Sequence, residues 1–310
     1  MATPHPLSAS ALFNLKDWVA VGLFPGLFPP SINAFSPKTQ TTILARPKVY
    51  ITGRRVDVLE TSARIHGARD RLGENGGEIV PLAMDVTDKE SIKNAVSKIE
   101  AAEGYLNVLV NNAGVWKGRP NASPADGPEA FGAAIFAEEI EGNWQQSYLT
   151  NSTSPYFVTG AFLPLLAKAV NSPAQQVGNV INNASISGLL RLNIKQQFSY
   201  SASKAAALHL TRQMAFDFGH EKIGVRVNAI ALGYFPSEMT TSSSNDENES
   251  SYDVAGFRAF LESAGVKAVK RMGTARDLAS AILTLATNDY VWGTVSIIDG
   301  GLMLNAPGNM

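Results

Sequence analysis

Gly178-Asn179-Val180-Ile181-Asn182-Asn183-Ala184-Ser185-Ile186-Ser187-Gly188 is an apolar run that closes in hydroxyls and a glycine. A short run of this kind reads as a buried strand. In a parallel α/β sheet, reactive groups gather beyond the carboxyl ends of the strands, and Ser185 stands there. Downstream, Phe198-Ser199-Tyr200-Ser201-Ala202-Ser203-Lys204-Ala205-Ala206-Ala207 sets a tyrosine and a lysine four positions apart in helix-compatible sequence. That spacing puts Tyr200 and Lys204 on one helix face. A neighbouring ammonium favours the ionised phenol, which predicts a Tyr200 pKa below its ordinary value of about 10 and suits acid/base work near neutral pH.

Working outward, apolar runs at 18–21, 49–53, 78–84, 106–110, 224–230 and 294–298 read as further strands. Helical patterns lie between them. The spacing predicts helices over 56–72, 139–169 and 275–287, and Thr87-Asp88-Lys89-Glu90 predicts a capping box. Beyond that box Ile92, Ala95, Val96 and Ile99 recur at helical spacing until Gly104. Alternating strands and helices predict a single α/β domain over 1–310. It is doubly wound and Rossmann-like, with a parallel sheet and ligands at the strands' carboxyl ends.

Ser185 and the Tyr200-x-x-x-Lys204 pair, with Asn111-Asn112-Ala113-Gly114 after a strand, Asp85 after another and a closing Asp299-Gly300-Gly301, resemble the short-chain dehydrogenase/reductase family. The resemblance runs from about Lys48 to Gly301, with a small piece around Asp17 to Val21, and is to ketoreductases of the 3-oxoacyl reductase kind. It implies hydride transfer between NADP(H) and a ketone or secondary alcohol. By resemblance, Tyr200 protonates the developing alkoxide and Ser185 hydrogen-bonds it. Lys204 holds the nicotinamide ribose, and Asn151 anchors a water that passes protons to Lys204. The bland reading of Asn151 is a helix asparagine that satisfies a backbone carbonyl. Asp85, Val86, Asn112, Ala113, Gly114 and Phe235 fall on cofactor-contacting positions together with Tyr200 and Lys204. The family also implies a homo-oligomer, dimer or tetramer, built on the helix that carries Asn151.

One segment departs from the family pattern. After the first strand the family has Thr-Gly-x-x-x-Gly-x-Gly and a helix, whose backbone amides bind pyrophosphate. Here residues 22–47 open with Gly22-Leu23-Phe24-Pro25-Gly26-Leu27-Phe28-Pro29-Pro30 and no amphipathic helix can be written through them. The first βα unit is therefore expected to be disrupted and dinucleotide binding weak. The alternative function is accordingly a cofactor-deficient, inactive chain, a splice or gene-model variant acting at most as an assembly partner. Arg54 and Arg55 end the second strand, where arginine matches the 2′-phosphate of NADP by charge-assisted bonds. Two solvated arginines are the bland alternative.

The 310 residues carry a net charge of −1 and 45% hydrophobic content, enough for a full core and without the basic footprint of a nucleic-acid or anionic-membrane partner. Cysteine is absent, which removes disulfides and thiolate chemistry. His5, His66, His209 and His220 lack metal-ligand spacing, so no metal is expected. With no membrane-length apolar run and no basic leader, a cytoplasmic enzyme is the expectation. Residues 237–270, with the polar low-complexity run 240–251, read as a mobile substrate lid. Leu189, Leu190, Leu192 and Phe198 predict an apolar substrate pocket.

Overall fold

The computed structural model describes residues 15–23, 47–68, 77–192, 196–242, 244–263, 265–266 and 268–305. Seven strands form one parallel sheet: β1 (Val19–Leu23), β2 (Lys48–Gly53), β3 (Glu78–Ala83), β4 (Val108–Asn111), β5 (Asn179–Asn183), β6 (Arg226–Leu232) and β7 (Val295–Ile298). Their order is β3-β2-β1-β4-β5-β6-β7. Strand order reverses between β1 and β4, which opens the crevice where such sheets bind ligands. Burial on both faces explains the continuous apolar strands: Val21, Val108, Leu109, Val180, Ile181 and Val227 are all inaccessible to solvent.

Helices cover both faces. On one lie α1 (Val56–His66) and α8 (Ala275–Thr287), with Leu59, Leu278, Ile282 and Leu285 against Val49, Ile51, Val110 and Ile230. On the other lie α2 (Lys89–Glu103), α4 (Ser154–Ala167) and α5 (Phe198–Phe218), with Ile92, Ile99, Val158, Phe162 and Met214 against Val19, Val21, Leu109 and Val180. Other helices are α3 (Gly127–Phe136) and, after β6, α6 (Glu238–Thr241) and α7 (Val254–Ser263), with a single turn at Gln146–Tyr148. The fold is thus the doubly wound, Rossmann-like α/β arrangement expected from the alternation of elements.

Several boundaries differ from expectation for local reasons. Helix α1 stops at His66, before Gly67, and residues 69–72 of the expected helix fall outside the described residues. The cap of α2 is Asp88, which accepts from the Glu90 amide at 3.0 Å; Thr87 is drawn back to the Asp85 carboxylate by two bonds of 2.9 and 2.7 Å. A carboxylate outcompetes a hydroxyl for the cap because its bonds are charge-assisted. The helix expected over 139–169 is interrupted by wide π turns at Ile140–Gln145 and Leu149–Thr153. Pro155 supplies a cause beside the second: it has no N–H for the Asn151 carbonyl four residues before. The expected disruption after β1 falls on residues 24–46, outside the described residues; β1 itself pairs with β2 through Leu23 and Thr52.

Candidate active site

The site lies at the carboxyl ends of β4 and β5, where an amide ladder ties the strands together. Asn111 and Asn182 face each other in register. Asn111 Nδ2 donates to Asn182 Oδ1 at 2.8 Å and to Thr159 Oγ1 of α4 at 2.9 Å, and Asn182 Nδ2 donates to Thr211 Oγ1 of α5 at 2.9 Å. Asn183 donates to Asn112 beside it. Buried amides cost free energy unless paired, so this ladder locks the strand ends to α4 and to α5, the helix that carries Tyr200 and Lys204.

Ser185 follows β5 and caps a short 3-10 turn, Ile186–Gly188, its Oγ accepting from the Ser187 amide at 3.1 Å. The oxygen is thereby held by an acceptor bond and its hydrogen is left to donate. Gly188 brings that turn against α5: a Cβ there would lie 2.7 Å from the Ala205 nitrogen and the Lys204 carbonyl carbon. No side chain fits in that gap. The close approach presses the serine onto the helix that carries Tyr200 and Lys204.

Lys204 is buried, its Nζ donating to the Asn183 carbonyl at 2.8 Å and lying 5.9 Å from the Tyr200 ring centroid. Burial pulls its pKa down to about 8. Burial also raises the Tyr200 pKa, and the Ser185 hydroxyl acts against that shift by hydrogen-bonding the phenol. The expected depression of the Tyr200 pKa by Lys204 is therefore not what the structure has. Four-residue spacing puts the two groups on one helix face, but the Lys204 ammonium turns to the Asn183 carbonyl and burial sets the direction for the phenol.

Asn151 sits in the second π turn and is buried. Its Oδ1 accepts from the Val115 amide at 2.7 Å, and its Nδ2 donates to the Val115 carbonyl and to Ser203 Oγ, both at 2.9 Å. Ser203 in turn donates to the Tyr200 carbonyl at 2.7 Å. Asn151 thus braces the loop after β4 against the Tyr200 helix through Ser203, a residue that sequence reasoning passed over. Gly114 lies beneath: a Cβ there would be 3.4 Å from both Asn151 Oδ1 and Lys204 Nζ.

Two cavities flank these groups. One of about 250 Å³ is lined by Ser185, Tyr200, Trp116, Leu232, Tyr234 and Met239, among others. It is not the pocket expected from the leucines. Leu189 and Leu190 pack beside Ile186 and Leu261, Leu192 is exposed, and Phe198 rests near Phe131 with ring centroids 6.4 Å apart. The ring of Phe235 belongs to the core, so close to Gly273 that a Cβ there would lie 2.3 Å from it. Tyr234 is the aromatic side chain of that loop on the cavity. The second cavity, about 80 Å³, lies across β2, β3 and β4 and is lined by Thr52, Arg54, Asp85, Val86, Ala113 and Lys117, among others. Lys117 is a second cation beside Arg54 that sequence reasoning missed. A larger cavity, about 320 Å³ under Phe257, Leu261 and Leu302, holds none of Ser185, Tyr200 and Lys204.

The sequence profile of the short chain dehydrogenase family matches residues 49–248. The chain belongs to that family. Among similar short-chain dehydrogenase/reductases are PhomF of Diaporthe leptostromiformis, 32% identical over 270 residues (84% of each chain), and VdtF of Byssochlamys spectabilis, 30% identical over 333 aligned positions (97% of each chain). The 5-keto-D-gluconate 5-reductase of Escherichia coli K12 is 30% identical over 246 residues, covering 79% of this chain and 83% of the reductase. Among solved structures, the Pseudomonas aeruginosa RhlG/NADP complex superposes with a TM-score of 0.71 at 24% identity, covering 96% of this chain and 99% of RhlG. That likeness shows the short-chain dehydrogenase fold. No helix among the described residues of this family member is long and apolar enough to cross a membrane.

Proposed function

We propose that this short-chain dehydrogenase/reductase is an NADP(H)-dependent carbonyl reductase, with Tyr200 as proton donor. The observation that carries the reading is the meeting of Ser185 and Tyr200 on one cavity edge, with Lys204 one helical turn from Tyr200 and Asn151 bracing their supports. The keto-reductase names of relatives such as the Escherichia coli gluconate enzyme support it. Chain residues fit a dinucleotide across the crevice. The Asn112 Nδ2 is buried without a partner among the described residues, and a Cβ on Gly114 would fill the space 3.4 Å from Lys204 Nζ. Bound there, NADPH supplies the hydride that reduces a carbonyl carbon.

The residues then divide the work. Tyr200 gives its proton to the carbonyl oxygen as negative charge builds there, and its raised pKa keeps that proton in place at neutral pH. Ser185 donates a hydrogen bond to the same oxygen. Lys204 holds the cofactor ribose. Both Nδ2 hydrogens of Asn151 are engaged, with the Val115 carbonyl and Ser203 Oγ, so its side chain acts as a brace. Phe235 offers the cofactor its backbone, while Trp116, Tyr234 and Met239 present flat and polarisable faces that favour a cyclic, planar ketone. Residues 237–270 act as the substrate lid of a single 1–310 domain. Exposed Tyr156 and Phe157 on α4 support a homo-oligomer. A cytoplasmic location fits this reading. The cofactor-deficient alternative is not favoured by family membership or by an assembled site.

Arg54, with Lys117, is assigned to the 2′-phosphate. Arg54→Asp should weaken NADPH binding by about 1.5–3 kcal/mol, the scale of one charge-assisted bond, and should affect NADH much less. Calorimetric titration with both cofactors checks this, and an unchanged NADPH/NADH preference would sink the assignment.

A further inference from the structure

Arg55, the second arginine after β2, faces the segment that follows β6. Its Nη2 meets Glu238 Oε2 at 2.9 Å, and the other carboxylate oxygen accepts from Ser244 Oγ at 2.9 Å. Further along, Asn248 takes a left-handed backbone conformation with φ of 58° and donates from Nδ2 to the Val58 carbonyl (3.3 Å) and Ser62 Oγ (3.2 Å), both on α1. A turn made by Asn245, whose Oδ1 accepts from the Glu247 and Glu249 amides at 3.0 and 2.8 Å, sets Asn248 in place. The polar run is thus folded and docked on the β2–α1 shoulder. The same short helix α6 turns Met239 and Thr240 to the catalytic cavity. One element therefore touches Arg55 on one side and lines the catalytic cavity on the other.

We propose that Glu238 is a cofactor-selectivity residue: its carboxylate competes with the cofactor 2′-phosphate for Arg55, so NADP(H) binding loosens the segment over the catalytic cavity. The coupling rests on the NADP(H) reading above. Arg55 and Glu238 keep 50% and 30% of their side-chain surface accessible, so an arriving anion can reach the guanidinium. A phosphate monoester carries more charge than a carboxylate and can take the guanidinium fork with two oxygens, whereas the Arg55–Glu238 bond uses one nitrogen. The exchange favours the phosphate. NADH has no 2′-phosphate and leaves the pair closed. By linkage, whatever opens the pair tightens NADP(H) by the same factor.

The test uses the full chain as wild type, Glu238→Gln, Arg55→Met and the double variant, titrated with NADPH, NADH and 2′,5′-ADP, with amide exchange followed over 237–250. Glu238→Gln should tighten NADPH and 2′,5′-ADP by about two- to fivefold, the range for an exposed ion pair, and leave NADH unchanged. The gain should vanish when Arg55 is methionine. Exchange over 237–250 should rise in Glu238→Gln without ligand and in wild type with NADPH, but not with NADH. Unchanged or weaker NADPH binding in Glu238→Gln, or an equal gain for NADH, overturns the coupling, as does failure of all three ligands to bind. If Arg54→Asp and Arg55→Met leave the NADPH/NADH ratio untouched, the NADP(H) reading itself has failed. If they lower it while Glu238→Gln does nothing, only the coupling has.

Discussion

Tyr200→Phe should lower kcat for ketone reduction by about two to four orders of magnitude, the range for a positioned general acid, while NADPH affinity stays within about twofold. The substitution removes one oxygen from a side chain whose ring stays in place on α5. Lys204 keeps its bond to the Asn183 carbonyl, and Ser203 still takes the backbone carbonyl at position 200. What is lost is the acidic proton, with the phenol's hydrogen bond to Ser185. Neither neighbouring hydroxyl of the cavity replaces it: Ser185 has a far weaker acidity, and burial raises the Tyr234 phenol as it does that of Tyr200. Steady-state rates with saturating NADPH read the effect, and a variant that keeps more than a tenth of wild-type kcat would remove Tyr200 from the mechanism.

The next largest effect belongs to Ser185→Ala, expected to cost about 10²–10³ in kcat, the scale for one donor aimed at a developing oxyanion. Because the Ser187 amide donates to Ser185 Oγ, the oxygen is held in place and its hydrogen is left to donate. Its removal should leave KM within a few-fold, since the bond strengthens as charge develops on the oxygen. Ser185→Thr, which keeps a hydroxyl, should recover part of the loss. An alanine variant with raised KM and unchanged kcat would show that Ser185 binds substrate and does not stabilise charge.

The strands were legible because a parallel sheet covered on both faces demands runs such as Val108-Leu109-Val110. The last helix was legible at both ends, Ala275 and Thr287, with Thr274 and Asp277 forming a reciprocal cap. What stayed hidden depends on register between distant segments. The Asn111–Asn182 pair joins residues 71 apart, Asn151–Ser203 joins residues 52 apart, and Arg55–Glu238 joins residues 183 apart. No local pattern marks such partners. Solvation was equally hidden: Tyr200 and Lys204 were placed together by spacing, yet their pKa directions follow burial. The leucines after Ser185 misled because apolar character alone does not say which way a 3-10 turn aims its side chains. Leu189 and Leu190 pack toward Leu261, Leu192 is exposed, and none of the three lines the catalytic cavity.

The central claim is that this chain moves hydride from NADPH to a carbonyl carbon beside Tyr200. It is tested most directly by incubating the purified protein with NADPH carrying deuterium at both C4 positions of the nicotinamide and a planar cyclic ketone, then locating the label in the alcohol by mass spectrometry. The account predicts deuterium on the carbinol carbon, formed by the wild type and nearly abolished in Tyr200→Phe. Alcohol without deuterium, or the same labelled yield from both proteins, would contradict it.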